Sequence, residues 1–187
     1  MRGVAISILL LAALSPFPTA FGKPFQINLD QAGPLKPRTL VGESRLKALF
    51  PGHKVELRYH LYQNKKLKVF EVSLKNQLIC RVWPGDRLYG TFDYYIKTVT
   101  SPAKDAKTPF PFHVGDSFQK SVKYLQRDKC AVSLFYGRRT LLCPTLLADN
   151  IIFHFAGQDT GQQGAPLASQ DLRQWRVVEI VWKPPAV

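Results

Sequence analysis

The apolar and polar residues of the chain alternate with a period of two over most of its length. From Lys54 to Tyr62 the residues Val55, Leu57, Tyr59 and Leu61 share one face, which predicts a half-buried strand. Leu67 to Leu74 changes face partway, which predicts a bulge or bend near Val69. The same period predicts further strands at Gln77–Trp83, Arg87–Thr100, Ser117–Leu125, Asn150–Ala156 and Trp175–Lys183.

One segment has helical spacing instead. Leu46, Leu49 and Phe50 recur within Gly42–Phe50, and Pro51-Gly52 ends the pattern. A turn is predicted at Pro84-Gly85-Asp86. The whole pattern predicts an all-β protein: an antiparallel sandwich or small barrel of about eight or nine strands with one short N-terminal helix.

Two cysteines flank a predicted hairpin. If Tyr136-Gly137 forms its tip, Cys130 lies directly opposite Cys143, and a four-residue loop around the same tip keeps that register. Opposed cysteines in neighbouring strands are close enough to form a disulfide bond. A zinc site requires further ligands at matched spacing, and a redox pair requires the C-x-x-C spacing; neither pattern is present. We therefore predict a structural disulfide and no metal.

The N-terminus predicts export. Arg2 precedes an apolar run, and the small residues before Lys23 suit a signal peptidase, so residues 1–22 are predicted to be a cleaved signal peptide. The alternative is a signal anchor, but the run is shorter than the roughly 20 residues that a membrane span needs. We expect a Pro-containing segment over 23–40 that runs over the surface, then one β-rich domain over 41–187. No other segment predicts a transmembrane span in the mature chain, so a secreted or periplasmic location is expected, where disulfides persist.

Cys80 has no partner within the chain if the other two cysteines are bonded. It lies between Leu78 and Val82 at alternating positions, which predicts a small buried core residue. A reactive nucleophile and an intermolecular disulfide remain the alternatives.

The chain is strongly basic, with 26 Lys and Arg against 13 Asp and Glu and a formal net charge of +13. Such an excess attracts polyanions, although it also serves solubility alone. The candidate partners are anionic lipid, lipopolysaccharide, acidic polysaccharide or nucleic acid; a protein partner at an edge strand is the alternative.

The best-placed candidate ligand-binding residues are Arg138 and Arg139, which a stapled turn holds beside Tyr136. Lys65, Lys66 and Lys68 follow at a predicted hairpin connection, where they also suit a solvated turn. Among the aromatic residues on or beside the later strands, Tyr95 and Tyr136 are expected to be exposed.

No motif identifies a reaction. The four histidines form no metal-binding pattern, and there is no nucleophile elbow or Gly-rich phosphate loop, so neither catalytic residues nor a cofactor are predicted. We therefore expect a non-enzymatic binding or envelope-interaction module for an anionic partner. Two alternatives stay open: a small basic hydrolase of phosphodiesters or polysaccharide, which could use histidines and a lysine on facing strands, and a structural subunit of an extracytoplasmic assembly.

Overall fold

Antiparallel β-strands make up most of the described structure. The computed structural model describes residues 23–62, 65–135, 138–157 and 171–185. The strands are β1 (Leu40–Val41), β2 (Lys54–Tyr62), β3 (Lys65–Leu74), β4 (Gln77–Arg87), β5 (Tyr94–Ser101), β6 (Ala131–Phe135), β7 (Arg138–Thr145), β8 (Ala148–Ala156) and β9 (Arg176–Trp182). The helices are α1 (Glu43–Leu49) and the single turn α2 (Phe118–Ser121), with 3₁₀ turns at Val122–Tyr124, Arg127–Lys129 and Asp171–Gln174. The predicted all-β class is confirmed.

The described strands belong to one sheet with the order β2-β3-β4-β5-β9-β8-β7-β6, and β1 pairs with β5. Every strand pair is antiparallel. The first four long strands follow the chain order, and so do the last four in reverse. The non-local step is the pairing of β5 with the C-terminal strand β9, which joins the two halves of the sheet.

The local predictions for α1 and β2 are confirmed. Helix α1 begins after Gly42 and ends at Leu49, and β2 has the predicted bounds. The burial of β2 differs from the prediction, because Leu57, Tyr59 and Leu61 are 38%, 52% and 64% exposed. Nothing in the described part of the chain covers this end of the β2–β3 hairpin.

The predicted turn at Pro84-Gly85-Asp86 is wrong. Strand β4 continues through these residues to Arg87, and the register with β5 shifts on both sides of Pro84. These turn-forming residues instead lie in a bulged part of the strand. A proline is tolerated at a bulge because its missing backbone N–H is not needed for strand pairing there. The chain reverses instead between Leu88 and Asp93, where Gly90 adopts a positive φ of 76°.

The predicted strand at Ser117–Leu125 is also wrong, because this segment forms α2 and a 3₁₀ turn. Ser117 is the N-cap residue of α2, and its side chain accepts a hydrogen bond from the backbone N–H of Lys120. A serine at the N-cap accepts a hydrogen bond from a backbone N–H in the first turn of the helix, which has no partner within the helix.

The hydrophobic core lies on one face of the sheet, here called the core face. Phe153 and Trp182 from the sheet are fully buried, and Phe110 and Phe112 from the connection after β5 pack on Phe153 at ring distances of 6.1 and 4.2 Å. The segment before β1 also covers this face, with Phe25, Ile27, Ala32 and Leu35 all buried. The expectation that this segment runs over the surface is therefore wrong. Aromatic and aliphatic side chains of this size gain more from burial than the segment loses in ordering.

Both cysteine predictions are confirmed. Cys130 and Cys143 form a disulfide with Cα atoms 4.2 Å apart. The pairing of Ala131 with Leu142 and of Val132 with Leu141 has the register that the hairpin predicted. Cys80 is a free cysteine with no exposed surface, and burial raises the pKa of its thiol well above the ordinary range.

Among the residues that the structure describes, no helix is long and apolar enough to cross a membrane.

Candidate functional site

The opposite face of the sheet, here called the cavity face, borders a half-open cavity of about 390 Å³. Its walls are mainly apolar, formed by Leu61, Leu67, Trp83, Pro84, Leu142, Ile152 and Val181. Its polar lining includes two histidines, two threonines and Glu179, and three lysines border it: Lys68, Lys97 and Lys183. A cavity of this size, mostly apolar with a few polar groups, has the character of a small-molecule site.

Strand pairing explains why these groups meet. Directly opposed residues in neighbouring strands project to the same face of a sheet. His60 is opposite Leu67, and Glu71 is opposite Arg81. On the other side of the β5–β9 junction His154 is opposite Glu179. The cavity face therefore collects ionisable side chains from both halves of the sheet.

These side chains form a continuous ionic network. Arg81 is at its centre: its Nε lies 3.0 Å from Glu71 Oε1, and its Nη1 lies 3.0 Å from Glu179 Oε1. His60 Nε2 lies 3.4 Å from Glu71 Oε1, and His154 Nδ1 lies 3.6 Å from Glu179 Oε2. Each carboxylate therefore lies between the one arginine and a histidine, which ties β2, β3, β4, β8 and β9 together below the cavity.

Glu179 is the most deeply buried carboxylate in this network, with 9% of its side chain exposed. Burial opposes its ionisation, but hydrogen bonds from His154 and Thr100 and the charge of Arg81 outweigh that effect. The pKa of Glu179 is therefore held below its ordinary value. It follows that Glu179 is an anion at neutral pH whose charge is already balanced by the protein.

The lysines at the cavity differ from the ionic network because they have no carboxylate partner among the described residues. No described carboxylate lies within salt-bridge distance of Lys97 or Lys183, and both are exposed at the rim. Lys68 Nζ donates a 2.8 Å hydrogen bond to the Tyr94 hydroxyl, which raises the pKa of Lys68 against the effects of burial and Arg87. The cavity thus has an internally neutralised floor and a cationic rim.

The predicted residues at the β6–β7 tip are not an exposed arginine pair. Arg139 is only 5% exposed and lies opposite Leu134 in the sheet. Arg139 is buried because alternate residues of β7 face inward in this register. Tyr136 and the side chain of Arg138 lie outside the described residues.

The three predicted lysines of the β2–β3 hairpin lie on β3 rather than in its connection. Lys65 and Lys66 are opposite Tyr62 and Leu61, and Lys68 is opposite Tyr59. The connection is therefore shorter than predicted, with only residues 63 and 64 between the strands. Of the three, Lys68 borders the cavity. A ligand-binding role for the tip residues and for Lys65 and Lys66 stays a prediction.

No sequence motif marked Glu71, Arg81 or Glu179 as site residues, and His60 and His154 were predicted to be ordinary strand residues. A usable signal was present in two of them. Glu179 is the only acid in the apolar run from Val177 to Trp182, and His154 interrupts the equally apolar run from Ile151 to Phe155. Ionisable residues inside two buried strands indicate mutual pairing, since each one alone would be costly to bury.

Within the described ranges, no group of three or more histidine, cysteine or acidic side chains is arranged to hold a metal ion. The carboxylates of the network are instead occupied by Arg81.

The fold and the site define an antiparallel β-sheet domain with a packed core on one face and a lysine-rimmed cavity on the other. The chain belongs to the family described as "Protein of unknown function (DUF1131)", whose profile matches residues 9–184. A solved structure with this fold is the uncharacterized protein yfeY from Escherichia coli. The TM-score is 0.66 at 16% identity, over 84% of this chain and 99% of that chain. No curated protein sequence matches significantly.

Proposed function

We propose that this protein is an extracytoplasmic, non-enzymatic binding module for an anionic amphiphile, a molecule with an apolar body and an acidic group. The carrying observation is the cavity, which combines apolar walls with Lys68, Lys97 and Lys183 at its edge. Its volume of about 390 Å³ lies within the roughly 300–1,000 Å³ typical of small-ligand sites. The Cys130–Cys143 disulfide supports the location, because such bonds persist outside the cytosol.

The charge distribution supports an anionic ligand over a cationic one. Glu179 is the only carboxylate among the described cavity residues, and Arg81 already neutralises it. Among the described cavity residues, a cationic ligand would find no available counter-charge, whereas an acidic group at the rim would meet the lysines. An apolar body would replace water along Trp83, Leu142 and Ile152, which is the larger share of the binding free energy.

A matched pair of fluorescent probes tests both halves of the proposal. Anilinonaphthalene sulfonate carries an acidic group, and phenylnaphthylamine has the same ring skeleton without it. We expect the sulfonate to bind more tightly and its affinity to fall with added salt, since the rim charges are exposed. The variant Lys97→Gln/Lys183→Gln should weaken the sulfonate roughly tenfold and leave the neutral probe unchanged.

Two further variants complete the test. Lys104→Gln removes one charge from an exposed position outside the cavity. It should change the affinity for either probe only through the small loss of overall positive charge. Leu142→Trp adds bulk at a half-buried wall position and should abolish binding of both probes. Equal affinity for the two probes in the wild-type protein would contradict an anionic ligand, and unchanged binding by Leu142→Trp would place the ligand elsewhere.

The hydrolase alternative gains one specific observation, because His60 and His154 both line the cavity and each lies beside a carboxylate. A histidine oriented by a carboxylate is an arrangement that general bases use. Chromogenic carboxylic esters and phosphodiesters distinguish the two classes. Under our proposal there is no turnover above a His60→Gln/His154→Gln control, whereas turnover that this variant abolishes would establish an enzyme.

A further inference from the structure

Exposed aromatic and basic side chains meet at one end of the sheet, where the β2–β3 hairpin lies beside the β4–β5 connection. We name this the aromatic–basic patch, made of Tyr59, Lys66, Lys68, Arg87, Tyr89 and Phe92. Tyr89 is 100% exposed and Phe92 is 85% exposed, while Tyr59 is 52% exposed. Contiguous exposed apolar surface, unlike singly scattered apolar residues, is typical of sites that contact a protein partner or a membrane.

The patch is continuous. Lys66 Nζ lies 5.3 Å from the Tyr59 ring centroid, and Lys68, directly opposite Tyr59, lies 5.2 Å from the Tyr94 ring. Arg87 is opposite Tyr94, and its guanidinium carbon lies 4.9 Å from the Phe92 ring. Each cation therefore lies against the face of an aromatic ring. The patch thus presents positive charge and apolar surface side by side.

The loop that carries Tyr89 and Phe92 is held in place. Leu88 N–H donates to Asp93 C=O at 3.0 Å, Arg87 Nε donates to Thr91 C=O at 2.5 Å, and Arg45 Nε pairs with Asp93 Oδ2 at 2.5 Å. The two rings thus project from an ordered support, so that inserting them into a partner costs little additional conformational entropy.

The charge around the patch selects the partner. None of its three cations has a described carboxylate within salt-bridge distance, and Asp93, at the end of the β4–β5 connection, is already bound by Arg45. The exposed pair Leu146 and Leu147 at the β7–β8 turn offers a contrast, because the described residues that line the groove beside it include no aromatic ring and its lysine, Lys129, is paired with Asp149. The patch therefore combines exposed rings with positive charge that no described carboxylate neutralises.

We propose that the aromatic–basic patch docks the protein on an anionic lipid bilayer. Aromatic rings with an apolar body prefer the headgroup level of a membrane, and lysines or arginines beside them gain from the negative surface potential. A polyanionic polymer could bind the cations of the patch, but it has no apolar layer into which Tyr89 and Phe92 could insert. This proposal is independent of the cavity ligand, although Lys68 borders both sites.

Vesicle co-sedimentation tests it with the whole mature chain. We expect binding to phosphatidylcholine vesicles that contain phosphatidylglycerol, and at least tenfold weaker binding to phosphatidylcholine alone. Tyr89→Ser/Phe92→Ser should weaken anionic-vesicle binding by at least about tenfold through lost apolar contact. Lys66→Gln and Arg87→Gln should each weaken it about fivefold.

Matched controls separate docking from general effects. Leu147→Ser removes a side chain that is 77% exposed outside the patch, and Lys104→Gln removes a charge elsewhere; both should bind vesicles like the wild-type protein. The patch variants should also retain binding of anilinonaphthalene sulfonate, and Leu142→Trp should retain vesicle binding. The failure of either proposal is thereby distinguishable from the failure of the other.

Dextran sulfate supplies the decisive comparison. If Tyr89→Ser/Phe92→Ser weakens vesicle binding but not binding to dextran sulfate, the bilayer is the partner. If the double variant binds anionic vesicles as well as the wild-type protein does, or if it loses dextran sulfate equally, the docking proposal is overturned.

Discussion

The two faces of the sheet are built from alternate residues of the same strands, yet they have opposite chemistry. On the core face Phe153 and Trp182 are buried under aromatic residues from the connections and from the N-terminal segment. On the cavity face the positions next to them, His154 and Val181, line an unfilled space. The difference lies in what covers each face: several chain segments pack on the first, and no described segment fills the second.

The two faces therefore differ in what they contribute to stability. Apolar burial on the core face supplies most of the folding free energy. The ionic network on the cavity face contributes little net stability relative to an apolar replacement, because desolvating ionised groups offsets much of their attraction. Under the proposed function, Arg81, Glu71 and Glu179 would contribute charge and shape next to the ligand rather than stability.

The largest effect is expected from truncating the core face. Phe153→Ala removes a ring that has no exposed surface and that packs on Phe110 and Phe112, so it should lower the free energy of unfolding by about 3–5 kcal/mol. Leu142→Ala, at a half-buried position of the cavity face, should cost clearly less. Urea denaturation measures both, and equal losses would erase the distinction between the faces.

The disulfide should have the next largest effect, because it joins the edge hairpin to the core through the fully buried Cys143. Replacing both Cys130 and Cys143 by serine should lower the free energy of unfolding by about 2–4 kcal/mol. Thermal unfolding with and without reductant provides the check: the double variant should be insensitive to reductant, and a wild-type protein equally insensitive would count against a stabilising bond.

A pH-dependent effect should follow from Glu179 on the cavity face. The pKa of this carboxyl is lowered in the folded protein, so its stabilising contribution is present above the ordinary carboxyl value of about 4.3 and is lost as pH falls through the folded pKa. Glu179→Gln should therefore cost about 1.5–3 kcal/mol at neutral pH. The difference from wild type should shrink below about pH 4. A cost that stays constant from neutral to acid pH would argue that the carboxylate charge is irrelevant.

The smallest change in stability concerns Cys80 on the core face, where Cys80→Ala should cost about 1 kcal/mol. The Cys80 thiol is mainly useful as a probe of solvent accessibility. Cys80 should react slowly with a bulky thiol reagent, because it is buried and burial raises the pKa of its thiol. Thr98→Cys in a Cys80→Ala background, placed on the cavity wall, should react much faster; similar rates would contradict the open cavity face.

Much of the local structure could be predicted from sequence. Strand β2, helix α1 and the register of the β6–β7 hairpin depend on side-chain period and turn chemistry within a few residues. The failures occurred where local signals compete. Pro84-Gly85-Asp86 has the composition of a turn but lies in a bulge, and the reversal at Gly90 brought Tyr89 and Phe92 to the surface instead of the core.

The candidate sites were less predictable than the fold. Arg139 was predicted to be a ligand-binding residue but is buried, whereas no sequence motif indicated Arg81 or Glu179, which form an ion pair next to the cavity. Their sequence positions are 98 residues apart, so no short pattern could connect them.

The sequence by itself determined the antiparallel β class, the α1 helix and the Cys130–Cys143 bond, because each depends on spacing between nearby residues. Only the tertiary structure decided that β9 lies between β5 and β8, which places Glu179 beside Arg81 and His154. Strand alternation specifies which residues share a face, but the order of strands in a sheet is selected by the burial of apolar surface across the whole chain. The cavity, its lysine rim and the aromatic–basic patch are consequences of that order and of the Gly90 reversal.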